Sequence, residues 1–199
     1  MSADKDYLAL PLRDFLADIA AKSPTPGGGS VAAAVGALGV ALARMALAYT
    51  VDKAGQAGAE RLRAIMDEFL HAGGQFTQLM AEDMAAYEQF AATRKGSDDQ
   101  KQQALLRAIA VPMEIIVLAG AFAGRLDEIK AVVNRHLLPD LQAAAILASA
   151  AARAASTSAG VNIAALANRR EAERLENQLD LLLGRLARHR NAVVHYEHP

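Results

Sequence analysis

The 199 residues are 53% hydrophobic and 5% aromatic, contain no cysteine, and carry a formal net charge of -1 at pH 7. This length and apolar fraction suit one compact domain over residues 1–199 with a substantial core. The balanced charge leaves no field to hold a nucleic-acid backbone or an anionic membrane, and the missing thiols exclude disulfides, thiolate nucleophiles and Cys-based zinc sites; neither nucleic acid nor membrane is expected as a partner, and a cytoplasmic setting is.

The N-terminal stretch MSADKDYLALPL is acidic and lacks the charged and apolar regions of a signal peptide, so no export is expected. A short helix is predicted over residues 12–21. The run SPTPGGG at 23–29 then breaks the chain, because two prolines and three glycines are costly inside a helix. After it Val31, Val35, Leu38, Leu42, Met45 and Tyr49 recur at steps of four and three, one stripe of a helix whose other faces are nearly all Ala and Gly. Such a helix belongs at the centre, surrounded by other helices or by a partner subunit. Its apolar length also makes 31–51 the one membrane candidate, but Arg44 and the Ala and Gly content favour a buried core helix.

A turn near 52–58 leads into a long amphipathic helix ending near Arg94, with Phe69, Phe76, Met80, Tyr87 and Phe90 on one stripe. Residues 95–103 form a polar loop and helix start. The next helix carries Leu106, Ile109, Met113, Ile116 and Leu118 past Pro112, which should kink it. A separate shorter helix is expected through Leu126 and Ile129 to about Asn134. Pro139 suits the first turn of an Ala-rich helix. The last helix places Leu175, Leu179, Leu182, Leu183 and Leu186 inward, with Arg169, Arg170, Glu171, Glu173, Arg174 and Glu176 toward solvent. With no strand signals, the class is all-α: an up-and-down bundle of long antiparallel helices with an Ala-rich core.

Two features carry chemistry. Gly27, Gly28, Gly29 and Ser30 present free N–H groups at a helix start, which is either an anion seat or a flexible lead-in with Ser30 near the cap. Asp83 falls on the apolar stripe where a hydrophobe is called for. A carboxyl buried there has its pKa raised toward neutrality, as general acid and base work needs, whereas one at the stripe edge pairs with a cation or reaches water. If the chain turns near Lys53, Gly28 lies about 37 Å up one helix and Asp83 about 45 Å up the other, so both face one level of the bundle. Asp140 and Asn162 share a face but lie about 33 Å apart on a straight helix, so only a two-fold partner would unite them. Arg44 is the only charge on its helix. His189, His195 and His198 gather near the C-terminus, more simply a basic helix end than a metal site, and no metal is expected.

The pair PTPGGGSVAAAVGALGVALARMA and AEDMAAYEQF resembles the proline and triple-glycine loop and the D-A-x-A-[FY] helix of the formiminotetrahydrofolate cyclodeaminase and methenyltetrahydrofolate cyclohydrolase family. AVPMEIIVLA is similar to that family's A-x-x-V-P-L helix, VNRHLLPDLQAAAILA to its G-N-x-n-x-x-S-D element at Asn134 and Asp140, and SAGVNIAAL to its N-V-x-I-N-L segment at Asn162. The resemblance implies a helical homodimer acting on a tetrahydrofolate derivative, with Asp83 catalytic and Gly27, Gly28, Gly29, Ser30, Tyr87, Asn134, Asp140 and Asn162 around the substrate. It implies no metal or redox cofactor, and no cofactor beyond the tetrahydrofolate substrate. The chain departs from the family at Ala81, Val133, Pro139 and Ser158. Those departures leave open a non-catalytic homodimer that binds folate or another small molecule, or a scaffold. The lack of a formiminotransferase portion tilts the expected activity toward the cyclohydrolase.

Overall fold

The computed structural model describes residues 5–198; the first four residues of the N-terminal segment lie outside it. Six helices account for the regular structure: α1 Leu12–Ala20, α2 Gly28–Val51, α3 Gln56–Ala92, α4 Asp98–Ile129, α5 Leu138–Ala164 and α6 Arg169–Val194. Single 3-10 turns at Thr93–Lys95 and Arg135–Leu137 flank α4 and α5. Among the described residues there is no strand. The α2 helix packs on α3 and α5, α4 packs on α3 and α5, and α6 lies along α4 and α5.

Side-chain size decides which face of α2 turns inward. The buried positions are Gly29, Ser30, Ala32, Ala33, Gly36, Gly39, Val40, Ala43, Ala46, Leu47 and Thr50. A Cβ on Gly36 would sit 2.4 Å from the Phe76 ring of α3, and one on Gly39 would sit 3.2 Å from the Ala144 carbonyl of α5. Neighbouring backbones therefore approach α2 more closely than a larger residue allows. The bulky stripe expected to mark the core lies elsewhere. Val31, Val35, Leu42 and Met45 are only half-buried, and Leu38 and Tyr49 are 62% and 60% exposed.

The long α3 follows its predicted stripe, with Phe69, Phe76 and Met80 buried. The helix α4 starts on a capping box: Ser97 Oγ accepts from the Gln100 N–H and Gln100 Oε1 accepts from the Ser97 N–H. It then runs unbroken for 32 residues, where two helices were expected. Nothing interrupts it, because Ile115, Ile116, Ala119, Phe122, Ala123, Leu126 and Ile129 continue one buried face through Gly120 and Gly124. Both α2 and α4 are long and apolar enough to cross a membrane by length and composition, with 44% and 50% of the qualifying windows buried inside the fold.

Pro112 sits inside α4 and has no N–H to give to the Ala108 carbonyl four residues earlier. The amide of Asn162 on α5 supplies the missing donor, Nδ2 to Ala108 O at 3.0 Å. On α5, Pro139 occupies the first turn as expected. At this end of the bundle the Asn134 N–H donates to Thr50 Oγ1 at 3.0 Å, which ties the start of α5 to the C-terminal end of α2.

Gly36→Ala is expected to destabilise the protein by about 1–3 kcal/mol, read as a lower Tm, because Phe76 is fully buried and has no room to withdraw. Asn162→Ala should cost about 1 kcal/mol. In a Pro112→Ala background the restored N–H serves Ala108, so a double-mutant cycle by denaturant unfolding should show that cost shrinking; equal costs in both backgrounds would refute the substitution of one donor for the other.

Candidate active site

Where α2 begins, its first N–H groups have no partner within the helix, and Gly27 as N-cap offers no side chain to satisfy them. The partner comes from α3. Asp83 Oδ2 accepts from the Ser30 hydroxyl at 2.8 Å, and the nearby backbone N–H of Ser30 also favours the charged carboxylate. The contact needs a glycine in front of it, since a Cβ on Gly29 would fall 2.0 Å from Asp83 Oδ1. Ser30 is fully buried and Asp83 half-buried. Burial pushes the Asp83 carboxyl above its ordinary value, and the hydroxyl and backbone N–H of Ser30 pull the other way without cancelling it.

The carboxylate opens onto a cavity of about 410 Å³ lined by Gly27, Gly28, Gly29, Asp83, Tyr87 and Asn162, together with Pro24, Thr25, Ala86, Phe90, Ala108, Thr157, Ser158 and Val161. Four segments meet there: the loop before α2, the last third of α3, α4 at Ala108, and α5 near its C-terminal end. Tyr87 follows Asp83 by one turn, and Ser158 and Asn162 are one turn apart on α5. Asn162 spends its Nδ2 on Ala108, which leaves its Oδ1 as the acceptor. The contents are those of a small-molecule site: an apolar wall, backbone N–H groups at a helix start, and one acid that burial holds above its ordinary value.

Of the expected site residues, Gly27, Gly28, Gly29, Asp83, Tyr87 and Asn162 share this cavity, and Ser30 lies behind it with its hydroxyl turned onto Asp83. Asn134 and Asp140 do not join them within one chain. Asn134 is tied to Thr50, about 33 Å along α2 from Gly28, with its Oδ1 accepting from the His136 N–H. Asp140 stands in the first turn of α5, about 33 Å along an unbroken helix from Asn162. Thr157 and Ala108 were not anticipated. The signal for Ala108 is Pro112, which leaves that carbonyl free; Thr157 gives none.

Two other cavities border these elements. One of about 650 Å³ shares Pro24, Thr25 and Tyr87 with the Asp83 cavity and continues to Lys5, Asp18 and Glu88. There Asp18 accepts from Lys5 Nζ at 2.7 Å and from the Tyr7 hydroxyl at 2.8 Å, and the Tyr7 phenol is pushed up to about 12 by burial and by Asp18. The other, about 710 Å³ and apolar, lies among α1, α2 and α3 at Leu12, Leu16, Val31, Val35, Leu38 and Arg44, and shares no lining residue with the acid's cavity. Near the C-terminus, His189 Nδ1 lies 2.9 Å from Asp127 and His195 Nδ1 lies 3.0 Å from the Asn191 carbonyl. Among the described residues no three His, Asp or Glu side chains converge as a metal site.

The family model described as formiminotransferase-cyclodeaminase matches residues 11–181. Relatives include the formimidoyltransferase-cyclodeaminases of Mus musculus, 31% identical over 71% of this chain, and Rattus norvegicus, 33% identical over 71%. The chain spans 28% of the length of these two proteins. The methenyltetrahydrofolate cyclohydrolase of Methylorubrum extorquens is 27% identical over 86% of this chain and 88% of its own length. Among solved structures, the formiminotetrahydrofolate cyclodeaminase of Thermotoga maritima superposes with a TM-score of 0.90 at 27% identity, covering 94% of both chains. With its triglycine loop, its acid-bearing helix and its whole set of helices accounted for in this way, the chain belongs to the formiminotransferase-cyclodeaminase family.

Proposed function

We propose that this protein is a cytoplasmic folate one-carbon enzyme, a methenyltetrahydrofolate cyclohydrolase or a formiminotetrahydrofolate cyclodeaminase, with Asp83 as the group that moves the proton. The observation that carries the reading is the Asp83 carboxyl, half-buried against the glycine start of α2 and open to a cavity of about 410 Å³. In the hydrolytic reaction water adds to the carbon that bridges N5 and N10. Asp83 takes a proton from that water and returns it to the nitrogen that departs when the carbon–nitrogen bond breaks, while the proton left on the added hydroxyl goes to solvent as the carbonyl forms. In the deaminating reaction N10 attacks the carbon of the protonated formimino group, and the same carboxyl takes the N10 proton and delivers it to the nitrogen that leaves as ammonia. Both routes balance in protons with one acid whose pKa lies nearer neutrality than usual, and neither calls for a metal or redox cofactor. The N–H groups at Gly27, Gly28 and Gly29 suit a ligand oxygen, while Tyr87 and the acceptor of Asn162 suit a flat heterocycle that carries donors.

The reading includes an up-and-down homodimer. A second copy would cover the exposed apolar side chains Leu38 and Tyr49 of α2 and Leu12 and Leu16 of α1, and would be needed to bring Asn134 and Asp140 near a ligand. One observation favours the rival, a non-catalytic folate binder: Asp83 already has a structural task, tying α3 to the start of α2 through the Ser30 hydroxyl at 2.8 Å.

Asp83→Asn should lower the rate of methenyltetrahydrofolate decay, followed by absorbance, about 100-fold or more, with folate binding by calorimetry retained. Binding by wild type without any acceleration of decay would favour the rival. The same variant tests the environment of the acid. The folded carboxyl holds its proton more tightly than the unfolded one, so it adds stability below the ordinary value of 3.8 that is lost as pH rises through the folded pKa. The stability of wild type relative to Asp83→Asn should therefore fall as pH is raised across the carboxylate range. Light scattering after size exclusion should give a mass of about twice 21.0 kDa.

A further inference from the structure

We infer that Ser30 is a positioning residue for Asp83: its buried hydroxyl occupies Oδ2 and stabilises the charged carboxylate, which leaves Oδ1 as the oxygen that exchanges protons with a ligand. The inference rests on the proposed role of Asp83. The motif PGGGS invites a different assignment, in which the serine touches substrate as the glycines do. The geometry points away from that. Ser30 has no exposed surface and is absent from the cavity lining, while its Oγ lies 2.8 Å from Asp83 Oδ2. Oδ1 is the atom nearest the Cβ position that Gly29 lacks. Glycine therefore leaves room for that oxygen, which any side chain at position 29 would displace, while serine engages the other.

Few other ionisable groups reach this carboxyl. On α3 the neighbouring Glu82 takes the amide of Gln78 and lines a separate cavity with Glu114 of α4, and Tyr87 is the other ionisable side chain lining the acid's own cavity. The only charge on α2 is Arg44, about 21 Å along the helix. The contributions of α4 and α5 to the lining are Ala108, Thr157, Ser158, Val161 and Asn162, none of which ionises in this range. Lys5, Asp18 and Glu88 lie in the adjoining cavity beyond Pro24 and Thr25. With the nearest ionisable groups so few, the hydroxyl is the main lever on the acid apart from burial. A hydroxyl that donates to a carboxylate favours its charged form, so removing it raises the pKa.

The test is a carbon-13 titration of the aspartate carboxyls in the whole chain, with the Asp83 resonance assigned from Asp83→Asn. Ser30→Ala should raise the Asp83 midpoint by about one pH unit or more, a tenfold gain in proton affinity. The low-pH limb of kcat/KM should move up by the same amount. A serine that served only packing would lower Tm and leave the midpoint where it was, and an unmoved midpoint in a folded variant overturns the inference. If Ser30→Ala does not fold, Ser30→Cys keeps the volume with a weaker donor and should shift the midpoint in the same direction. The titration needs no turnover. A shifted midpoint in a protein that does not accelerate methenyltetrahydrofolate decay upholds the Ser30 assignment and sinks the catalytic reading, and turnover with an unmoved midpoint does the reverse.

Discussion

The contact between the Asp83 carboxylate and the first turn of α2 constrains everything around it. A carboxylate brought out of water needs donors, and a buried hydroxyl in the first turn of a helix needs an acceptor. Each supplies what the other lacks, across 53 residues of sequence. The fit is tight enough to dictate composition: a Cβ on Gly29 would lie 2.0 Å from Oδ1, so the position admits glycine alone without displacing the acid. The register between α2 and α3 follows from the same contact. With Asp83 set against Gly29, Phe76 falls over Gly36 and Val40 comes against Gly73, each large side chain opposite a missing one.

The Ala and Gly face of α2 extends this logic along the bundle. Small residues let α3 and α5 close on both sides of one helix, and the side chains that α2 itself contributes to the core are correspondingly modest. The α5 helix does the same, burying Ala144, Ala145, Ala148, Ala151, Ala152, Ala155 and Ala159. Close backbone approach is what carries four different segments to within reach of one cavity of about 410 Å³. A core of leucines at these positions would hold the helices further apart and the loop of glycines further from the acid.

Much of this was legible in the sequence because it rests on periodicity and breakers. The triglycine stop, the stripe that includes Asp83 and the similar heights of the two on neighbouring helices needed only periodicity and the rise per residue, and the contact at Ser30 agrees with them. What was not legible depended on partners far along the chain. The stripe of Val31, Leu38 and Tyr49 satisfied every rule for a buried face, yet packing selected the face with the smaller side chains, because two neighbours had to fit. The single long α4 replaces the two helices expected there, because an unbroken buried face carries the helix through Gly120 and Gly124 and overrides the modest cost of glycine. The pairing of Asn162 with Ala108 joins residues 54 apart, and only coordinates reveal which amide answers a proline's missing N–H.

Two opposing influences on one carboxyl give the site its character. Burial alone would drive Asp83 toward a permanently neutral acid, able to donate a proton but slow to take one back. Hydrogen bonds alone would hold it as a permanent carboxylate, a cap and nothing more. With burial the larger influence and Ser30 opposing it, the carboxyl is held above its ordinary value but by less than burial alone would give, which suits the proposed acceptance and return of a proton at one carbon. The architecture supplies the two influences from different places: the fold around α3 excludes water, while the start of α2 presents the donors. A change in helix packing would alter the first and leave the second intact, so the proton affinity of the acid reports how closely α2 and α3 are held.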